Sequence, residues 1–246
     1  MEKLKEAASL IKNARHLVAF TGAGISAESG IPTFRGKGGI WDKYDPVILE
    51  IDYFKQNPEK AWPLIKDMFY NVIDKAEPNP AHRVLADWEQ QGLLKAIITQ
   101  NIDNLHQKAG SKNVIEFHGN TRDLVCLSCG KITPVKEADM SQNPVTCPHC
   151  GGLLKPDFIF FGEPIPPAAY EQSLYHSRNA DVYLIIGTTG IIMPASLLPY
   201  EAQRNHAKII EVNVAPSNYT GQITDIFLEG KASEILTELD KQIFKS

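Results

Sequence analysis

The segment HLVAFTGAGISA, residues 16–27, joins a short apolar run to a glycine-rich turn. The apolar run predicts a buried strand, and the turn has the pattern Gly22-x-Gly24-x-x-Ala27. Glycines in such a turn let backbone N–H groups approach a phosphate, and the helix that follows adds positive potential at its N-terminus. A plain strand-to-helix turn has the same pattern, so the segment alone leaves a nucleotide site open.

The rest of the chain alternates between strand and helix patterns. Apolar runs predict further strands at 94–99, 114–117, 158–161, 182–186 and 208–214. Apolar residues at helical spacing predict helices at 3–14, 50–75, 81–91, 195–205 and 233–244. This alternation predicts an α/β fold, a parallel sheet with helices on both faces. Ligands in such folds bind at the carboxyl ends of the strands. That rim would carry residues 21–35, 100–106, 118–120 and 187–190, with Asn213 beside them.

Composition limits the classes of function that fit. The chain has 246 residues, 43% of them hydrophobic and 22% charged, with a formal net charge of -4. We expect no direct nucleic-acid binding, because such binding needs clustered Lys and Arg against phosphates. The N-terminal sequence lacks the apolar core of a signal peptide, and no run approaches the ~18 apolar residues of a membrane span. We therefore expect a cytoplasmic protein that does not enter a membrane.

Four cysteines form the most specific local motif. Cys126-x-x-Cys129 is followed, after 17 residues, by Cys147-x-x-Cys150. This spacing is typical of a tetrahedral four-thiolate zinc site. Four protein ligands leave no open position, so the zinc would be structural. His149 is an alternative ligand, although its place in the turn between two cysteines favours a turn role. The absence of a disulfide pattern agrees with a reducing compartment.

Two polar motifs follow predicted strands. The first is QNID at 100–103, in which an Asn and an Asp can hold a carboxamide such as that of nicotinamide. Helix capping by Asn101 or Asp103 is the alternative interpretation. The second is FHG at 117–119, in which His118 can serve as a general base near neutral pH. A purely structural hydrogen bond is the alternative for His118.

Hydride transfer is disfavoured. An NAD-dependent dehydrogenase with this glycine turn carries an acidic residue about 20 positions later, at the end of a second strand. Asp42 lies near that distance, but it follows the sequence GGIW, which is no strand.

Together these motifs resemble the sirtuin family, in its bacterial and archaeal form. The resemblance covers nearly the whole chain. Its matches are GAGISAESGIPTFRG at 22–36, TQNIDNLHQKAG at 99–110, HGN at 118–120, the paired cysteines, FFGE at 160–163, GTT at 187–189, and Asn213. The chain departs from the family at Thr189 and Gly190, where the family usually has Ser and an apolar residue. We expect Thr189 to preserve NAD binding and Gly190 to loosen the loop beside the substrate.

The resemblance implies an NAD-dependent protein lysine deacetylase, which releases nicotinamide, transfers the acetyl group to ADP-ribose and consumes NAD+. His118 would be the catalytic base, with Asn101 also catalytic. The NAD contacts would be Gly22, Ala23, Gly24, Ala27, Phe34, Arg35, Gln100, Asn101, Ile102, Asp103, Gly187, Thr188, Thr189, Asn213, Val214, Lys231 and Ala232. The peptide contacts would be Phe161, Gly162, Glu163, Ile191 and Ile192, which would clamp the substrate as an added strand. One structural Zn2+ would be held by Cys126, Cys129, Cys147 and Cys150.

The resemblance also implies two domains. Residues 1–40, 76–120 and 157–246 would form a Rossmann-like NAD-binding domain. A helical module at 41–75 and a zinc module at 121–156 would form a small domain. The partners would be acetylated proteins or peptides, and the protein would be a monomer. The alternative activity is a mono-ADP-ribosyltransferase or NAD glycohydrolase on the same fold. A silent reader of acetyl-lysine or ADP-ribose is disfavoured because His118 and Asn101 are both present.

The acyl group is expected to be neutral. Family members that prefer negatively charged acyl groups carry a Tyr-x-x-Arg pair on a helix of the small domain. The aligned positions here are Ile65 and Met68, which cannot pair with a carboxylate. Burying an unpaired carboxylate is costly, so we expect acetyl to be preferred.

Overall fold

The computed structural model describes residues 2–36 and 38–244, and its centre is a six-stranded parallel sheet. The strands in this part of the chain are β1 (Leu17–Thr21), β2 (Leu94–Thr99), β3 (Val114–Glu116), β4 (Gly119–Cys126), β5 (Ile132–Pro134), β6 (Leu154–Phe158), β7 (Val182–Ile186), β8 (Lys208–Asn213) and β9 (Ile226–Glu229). The large sheet has the order β3-β2-β1-β7-β8-β9, and β5-β4-β6 form a small antiparallel sheet. The chain steps outward from β1 in both directions, so a crevice opens between the carboxyl ends of β1 and β7.

Helices cover both faces of the large sheet, as the sequence predicts. The α-helices of the described residues are α1 (Glu2–Lys12), α2 (Ile40–Lys43), α3 (Ile51–Gln56), α4 (Pro58–Ile65), α5 (Asn71–Ile73), α6 (Pro80–Gln90), α7 (Leu105–Ala109), α8 (Pro167–Asn179), α9 (Leu198–Arg204) and α10 (Ala232–Phe244). Helix α10 packs against α1 and α6, and α8 packs against α9. Because side chains alternate along a strand, Leu17 and Ala19 join one apolar cluster, and Val18 and Phe20 join the other.

A third apolar cluster lies apart from the large sheet. It joins side chains from 40–73 with side chains from 124–160, so helices α2–α5 and the small sheet share one core. Trp62 is fully buried there, and its Nε1 donates to the carbonyl oxygen of Leu154 at 3.1 Å. The helical pattern at 50–75 resolves into α3, α4, a single π-helical turn (Lys66–Tyr70) and α5.

One expected strand is wrong in part, and the structure contains elements that the sequence analysis did not predict. The strand expected at 158–161 is wrong beyond Phe158, because β6 pairs with β4 in the small sheet and the chain then turns. Helix α8 was not expected, since its buried face is formed by Ser173 and Ser177 rather than by an apolar stripe. Strand β9 has only four residues, which gives little periodicity to read.

Candidate active site

The loops after β1 and β7 touch backbone to backbone at the crevice. The amide of Gly24 donates to the carbonyl oxygen of Gly187 at 2.8 Å, and the amide of Gly22 donates to Ile186 at 3.0 Å. A Cβ at Gly24 would lie 2.6 Å from the Cα of Gly187, and one at Gly22 would lie 2.8 Å from its oxygen. Both positions therefore require glycine, which gives the Gly-x-Gly pattern a physical reason in this fold.

Four of the predicted rim segments are joined by hydrogen bonds. The side-chain amide of Gln100 donates to the hydroxyl of Thr188 at 3.1 Å. The side-chain amide of Asn213 donates to the carbonyl oxygen of Thr188 at 3.0 Å. The side-chain amide of Asn101 donates to the carbonyl oxygen of Gly22 at 3.1 Å. The strand ends of β1, β2, β7 and β8 thus meet in one polar site.

A buried polar network lies beneath this site. The hydroxyl of Ser26 donates to Asp103 Oδ2 at 2.6 Å and accepts from the side chain of Asn101 at 3.2 Å. Nε2 of His82 lies 3.5 Å from the same hydroxyl. Burial raises the pKa of Asp103, and hydrogen bonds from Ser26 and from the amide of Leu105 offset this rise only in part. The network holds Asn101 and Asp103 in fixed orientations.

Sequence reasoning missed several members of this layer. Thr21 and Thr99 pair across β1 and β2, with hydroxyls 2.9 Å apart, and Nε2 of His106 lies 3.0 Å from the Thr21 hydroxyl. Asn79 caps α6 and forms a capping box with His82. The capping role of Asn79 could have been predicted from the sequence, because an Asn directly before a Pro is a typical helix start.

His118 lies at the end of β3, where the sequence placed it. Its Nδ1 is 3.0 Å from the carbonyl oxygen of Gln100, and its own carbonyl accepts from the amide of Ile159 at 2.9 Å. Burial lowers the pKa of His118, and the hydrogen bond with Gln100 partly raises it. The imidazole is therefore largely neutral at physiological pH, as a general base must be.

The predicted peptide contacts include two exposed apolar side chains, Phe161 at 45% and Ile191 at 49% exposure. The backbone of Phe161 is already paired, since its amide donates to Leu49 at 2.8 Å and its carbonyl accepts from Ile51 at 3.1 Å. An added peptide strand at this position would therefore meet the exposed side chain of Phe161 rather than its amide.

The other predicted NAD contacts lie on segments that follow β1, β2, β8 and β9. Ala23 and Ala27 lie in a 3-10 turn (Ala23–Ser29), and Phe34 packs 5.4 Å from Trp41 between ring centroids. Arg35 and Val214 are exposed. Lys231 and Ala232 are drawn toward β8 because the amide of Gly230 donates to the carbonyl oxygen of Asn213 at 2.9 Å. Ile102 completes the predicted NAD contacts. Of the remaining predicted peptide contacts, Gly162 has φ 90° and Ile192 is half-buried.

The loop at Gly190 is packed rather than loose. Gly190 has φ +70°, and the ring of Tyr219 fills the space where a side chain would point. Tyr219 is fully buried, and the amide of Asn218 donates to the carbonyl oxygen of Thr189 at 3.1 Å. The expected loosening at Gly190 is thus offset by Tyr219.

The four cysteine sulfurs lie within 4.8 Å of one another. The Sγ atoms of Cys126 and Cys150 are 3.5 Å apart, and those of Cys129 and Cys147 are 3.9 Å apart. A tetrahedron with Zn–S bonds of ~2.3 Å has edges of roughly 3.8 Å. The four cysteines therefore fit a structural Zn2+ site. Among the described residues, this metal-binding cluster consists of the sulfurs alone, without His149.

Comparison with known proteins agrees with this geometry. The Sir2 family model matches residues 22–194, and the chain belongs to this family. It is 45% identical to an NAD-dependent protein deacylase of Thermococcus kodakarensis, covering 98% of this chain and 95% of that protein. It is also 45% identical to a deacylase of the same description from Aeropyrum pernix, covering 98% of each.

Solved structures show the same likeness. A Sir2 homologue in complex with NAD superposes with a TM-score of 0.90 at 40% identity, covering 98% of this chain and 94% of that one. A Sir2 protein with a p53 peptide and NAD+ superposes with a TM-score of 0.90 at 34% identity, covering 99% of each chain. None of the helices in the described ranges is long and apolar enough to cross a bilayer.

NAD+ as co-substrate fits the residues present. The glycine loops meet at the point where the strand order reverses, which is where dinucleotides bind in this class of sheet. Asn101 and Asp103 lie buried beside this point, at the end of β2.

Proposed function

We propose that this chain is an NAD-dependent protein lysine deacetylase that transfers the acetyl group from lysine to ADP-ribose and releases nicotinamide. The observation that carries the proposal is the contact between His118 and the backbone of Gln100, at 3.0 Å, beside Asn101 and Asp103. A general base and a carboxamide-binding pair then face one crevice. The deacylase names of the relatives support the same activity.

The residues divide the work by position. Gly22, Gly24 and Gly187 let the loops after β1 and β7 pack against each other at the crevice that holds NAD+, and Thr188 and Asn213 face its adenosine half. Asp103 and Asn101 hold the nicotinamide end. His118 accepts a proton from a ribose hydroxyl through Nε2. The protein's main contribution is positioning in an ordered, water-poor crevice.

The domain division and the setting extend this proposal. Residues 1–40, 76–120 and 157–246 form the NAD-binding domain, and 41–75 with 121–156 form the small domain. Most members of the separate apolar cluster, from 48–73 and 124–154, support this division, while Ile40, Phe158 and Phe160 join the cluster from the NAD-binding domain. The substrates are acetylated proteins or peptides. The protein acts as a monomer. We place the protein in the cytoplasm, because a reducing compartment keeps four cysteine thiolates from forming disulfides.

The test is a product assay. The purified protein is incubated with NAD+ and an acetyl-lysine peptide, and the products are identified and quantified by mass spectrometry. We expect free lysine peptide, nicotinamide and O-acetyl-ADP-ribose in equal amounts. ADP-ribosylated protein or free ADP-ribose, with the peptide still acetylated, would instead indicate a transferase or glycohydrolase.

A matched succinyl-lysine peptide tests the acyl preference in the same assay. Ile65 and Met68 are both buried within the apolar cluster of the small domain, 0% and 3% exposed. Neither can pair with a carboxylate, so we expect acetyl peptide to turn over faster than succinyl peptide. The opposite order would refute the preference while leaving the reaction type intact.

A further inference from the structure

Lys155 is a lysine whose side chain is only 4% exposed, at the second position of β6. Its ammonium donates to the carbonyl oxygen of Phe158 at 2.7 Å and to that of Pro156 at 2.8 Å. Its third partner is the carboxylate of Glu163, at 3.0 Å. An ammonium has three N–H donors, so three acceptors satisfy it fully. Buried charges persist only with such complete pairing.

The partner carboxylate closes the turn at FFGE. Oε2 of Glu163 accepts from the amide of Phe160 at 2.8 Å, and the amide of Glu163 donates back to the carbonyl oxygen of Phe160 at 3.0 Å. The ammonium of Lys155 also lies 4.6 Å from the centre of the Phe160 ring. One buried charge therefore touches the ring of the turn and the carboxylate that closes it.

The same segment lies between the predicted base and the small domain. The amide of Ile159 donates to the carbonyl oxygen of His118 at 2.9 Å. Two residues later, the backbone of Phe161 pairs with Leu49 and Ile51. Along the chain, Lys155 therefore bonds on both sides of these contacts: to Phe158, which precedes Ile159, and to Glu163, which follows Phe161.

We propose that Lys155 is a positioning residue for the acyl-peptide: its buried ammonium, acting through Glu163, holds the Phe160–Glu163 turn at a fixed place beside the strand end that carries His118. The proposal rests on the proposed function of this turn in peptide binding. Without the ammonium, the carboxylate of Glu163 has no countercharge and the turn can shift toward solvent. The glycine loops proposed to face NAD+ follow β1 and β7 of the large sheet, whereas Lys155 lies on β6 of the small sheet.

The test compares Lys155→Met with Lys66→Met. Lys66 is the matched control, because its ammonium also donates to a backbone carbonyl in the small domain, that of Gln142 at 2.8 Å, away from the turn. For Lys155→Met we expect the peptide KM to rise about tenfold, with the KM for NAD+ and the kcat at saturating peptide within about threefold of wild type. Lys66→Met should keep all three. A wild-type peptide KM in folded Lys155→Met would overturn the proposal.

A double substitution tests the route through Glu163. If Lys155 acts through this carboxylate, Lys155→Met and Glu163→Gln together should raise the peptide KM little more than the larger single change. Effects that multiply would overturn that route. Lys155→Gln serves as a second variant in case the Met variant misfolds. If neither variant retains zinc and cooperative unfolding, Lys155 supports the whole fold and its assignment to the peptide site is wrong.

A binding measurement separates this proposal from the proposed function. Fluorescence anisotropy of a labelled acetyl-lysine peptide gives Kd without turnover. If wild type binds the peptide but yields no O-acetyl-ADP-ribose, the deacetylase proposal fails while a tenfold weaker Kd in Lys155→Met still supports the role of Lys155. Equal Kd values overturn the role of Lys155 whatever the products are.

Discussion

Nδ1 of His118 lies 3.0 Å from the carbonyl oxygen of Gln100. A carbonyl oxygen can only accept a hydrogen bond, so Nδ1 carries the proton in the neutral ring. Nε2 is then unprotonated and available as a base. The sequence pointed to both residues for their side chains, yet the contact that orients the base uses the backbone of Gln100.

Replacing His118 should separate the two halves of the reaction. His118→Ala should lose deacetylation by ~10²–10⁴-fold, the usual contribution of a general base. Nicotinamide exchange into NAD+ should persist better, because the acyl oxygen of the substrate and not His118 attacks the ribose. Both rates are measured on one acetylated peptide, with zinc content and NAD+ binding as controls. Deacetylation near the wild-type rate would show that His118 is structural, and an equal fall of both rates would place its action at an earlier step.

The pH profile should reflect the burial of His118. The base is active when neutral, so activity falls as pH drops through its pKa. Burial lowers that pKa from the model-compound value of 6.5. The acid limb of kcat/KM, which reports the free enzyme, should therefore have its midpoint below pH ~6.5. The residual activity of His118→Ala should lack this limb. A midpoint above 6.5 would assign the limb to another group.

The zinc site should be structural and limited to sulfur ligands. Cys126 and Cys147 are buried, and metal binding is coupled to folding in such modules. Elemental analysis should find about one zinc per chain. Cys147→Ser should lose the metal and lower the unfolding temperature, whereas His149→Ala should retain both. Full zinc content in Cys147→Ser, or loss of zinc in His149→Ala, would contradict this ligand set.

The rim could be predicted from sequence because each polar motif directly follows an apolar run. Parallel strands bring their carboxyl ends to one edge, so the order of motifs was sufficient to bring Gln100, His118 and Asn213 together. The layer beneath could not be predicted in the same way. The contact between Ser26 and His82 joins residues 56 positions apart, on a turn and a helix whose relative placement follows from packing. Likewise, nothing local in LKPDF indicates that β6 leaves the large sheet, since pairing with β4 decides it.

Acid should destabilise the fold through His82. Burial lowers its folded-state pKa to about 4, whereas the unfolded value is near 6.5. Above pH ~6.5 both states are neutral; as pH falls below it, the unfolded chain binds the proton first, so stability is lost down to about pH 4. A shift of this size corresponds to about 3 kcal/mol.

His82→Gln isolates this contribution. Glutamine at the third helical position can preserve the capping box with Asn79 but does not titrate. Urea unfolding at pH 7 and pH 5 should therefore show a smaller pH-dependent loss in His82→Gln than in wild type. Part of the loss should remain, because burial also lowers the pKa of His106. Equal slopes in the two proteins would show that His82 does not carry the effect.

The ring of Tyr219 should make glycine necessary at position 190, in the loop that leads to the predicted peptide contact Ile191. A Cβ at Gly190 would lie 2.8 Å from the Tyr219 ring, and the position has φ +70°. The ring cannot move freely, because it is fully buried and its hydroxyl donates to the carbonyl oxygen of Ser196 at 3.2 Å. Gly190→Ala therefore combines backbone strain with a steric clash, and we expect it to displace the loop that leads to Ile191.

Gly221 supplies the control for strain alone. It has φ +77° and lies in the same segment as Tyr219, but a Cβ there would meet nothing within 4 Å. Gly221→Ala should cost about 1–2 kcal/mol of unfolding free energy, the usual penalty for a side chain in the left-handed region. Gly190→Ala should cost more and should also raise the peptide KM, which Gly221→Ala should leave unchanged. Urea unfolding and steady-state kinetics on both variants decide the matter: equal destabilisation with an unchanged peptide KM would mean that the Tyr219 ring yields and does not shape the substrate loop.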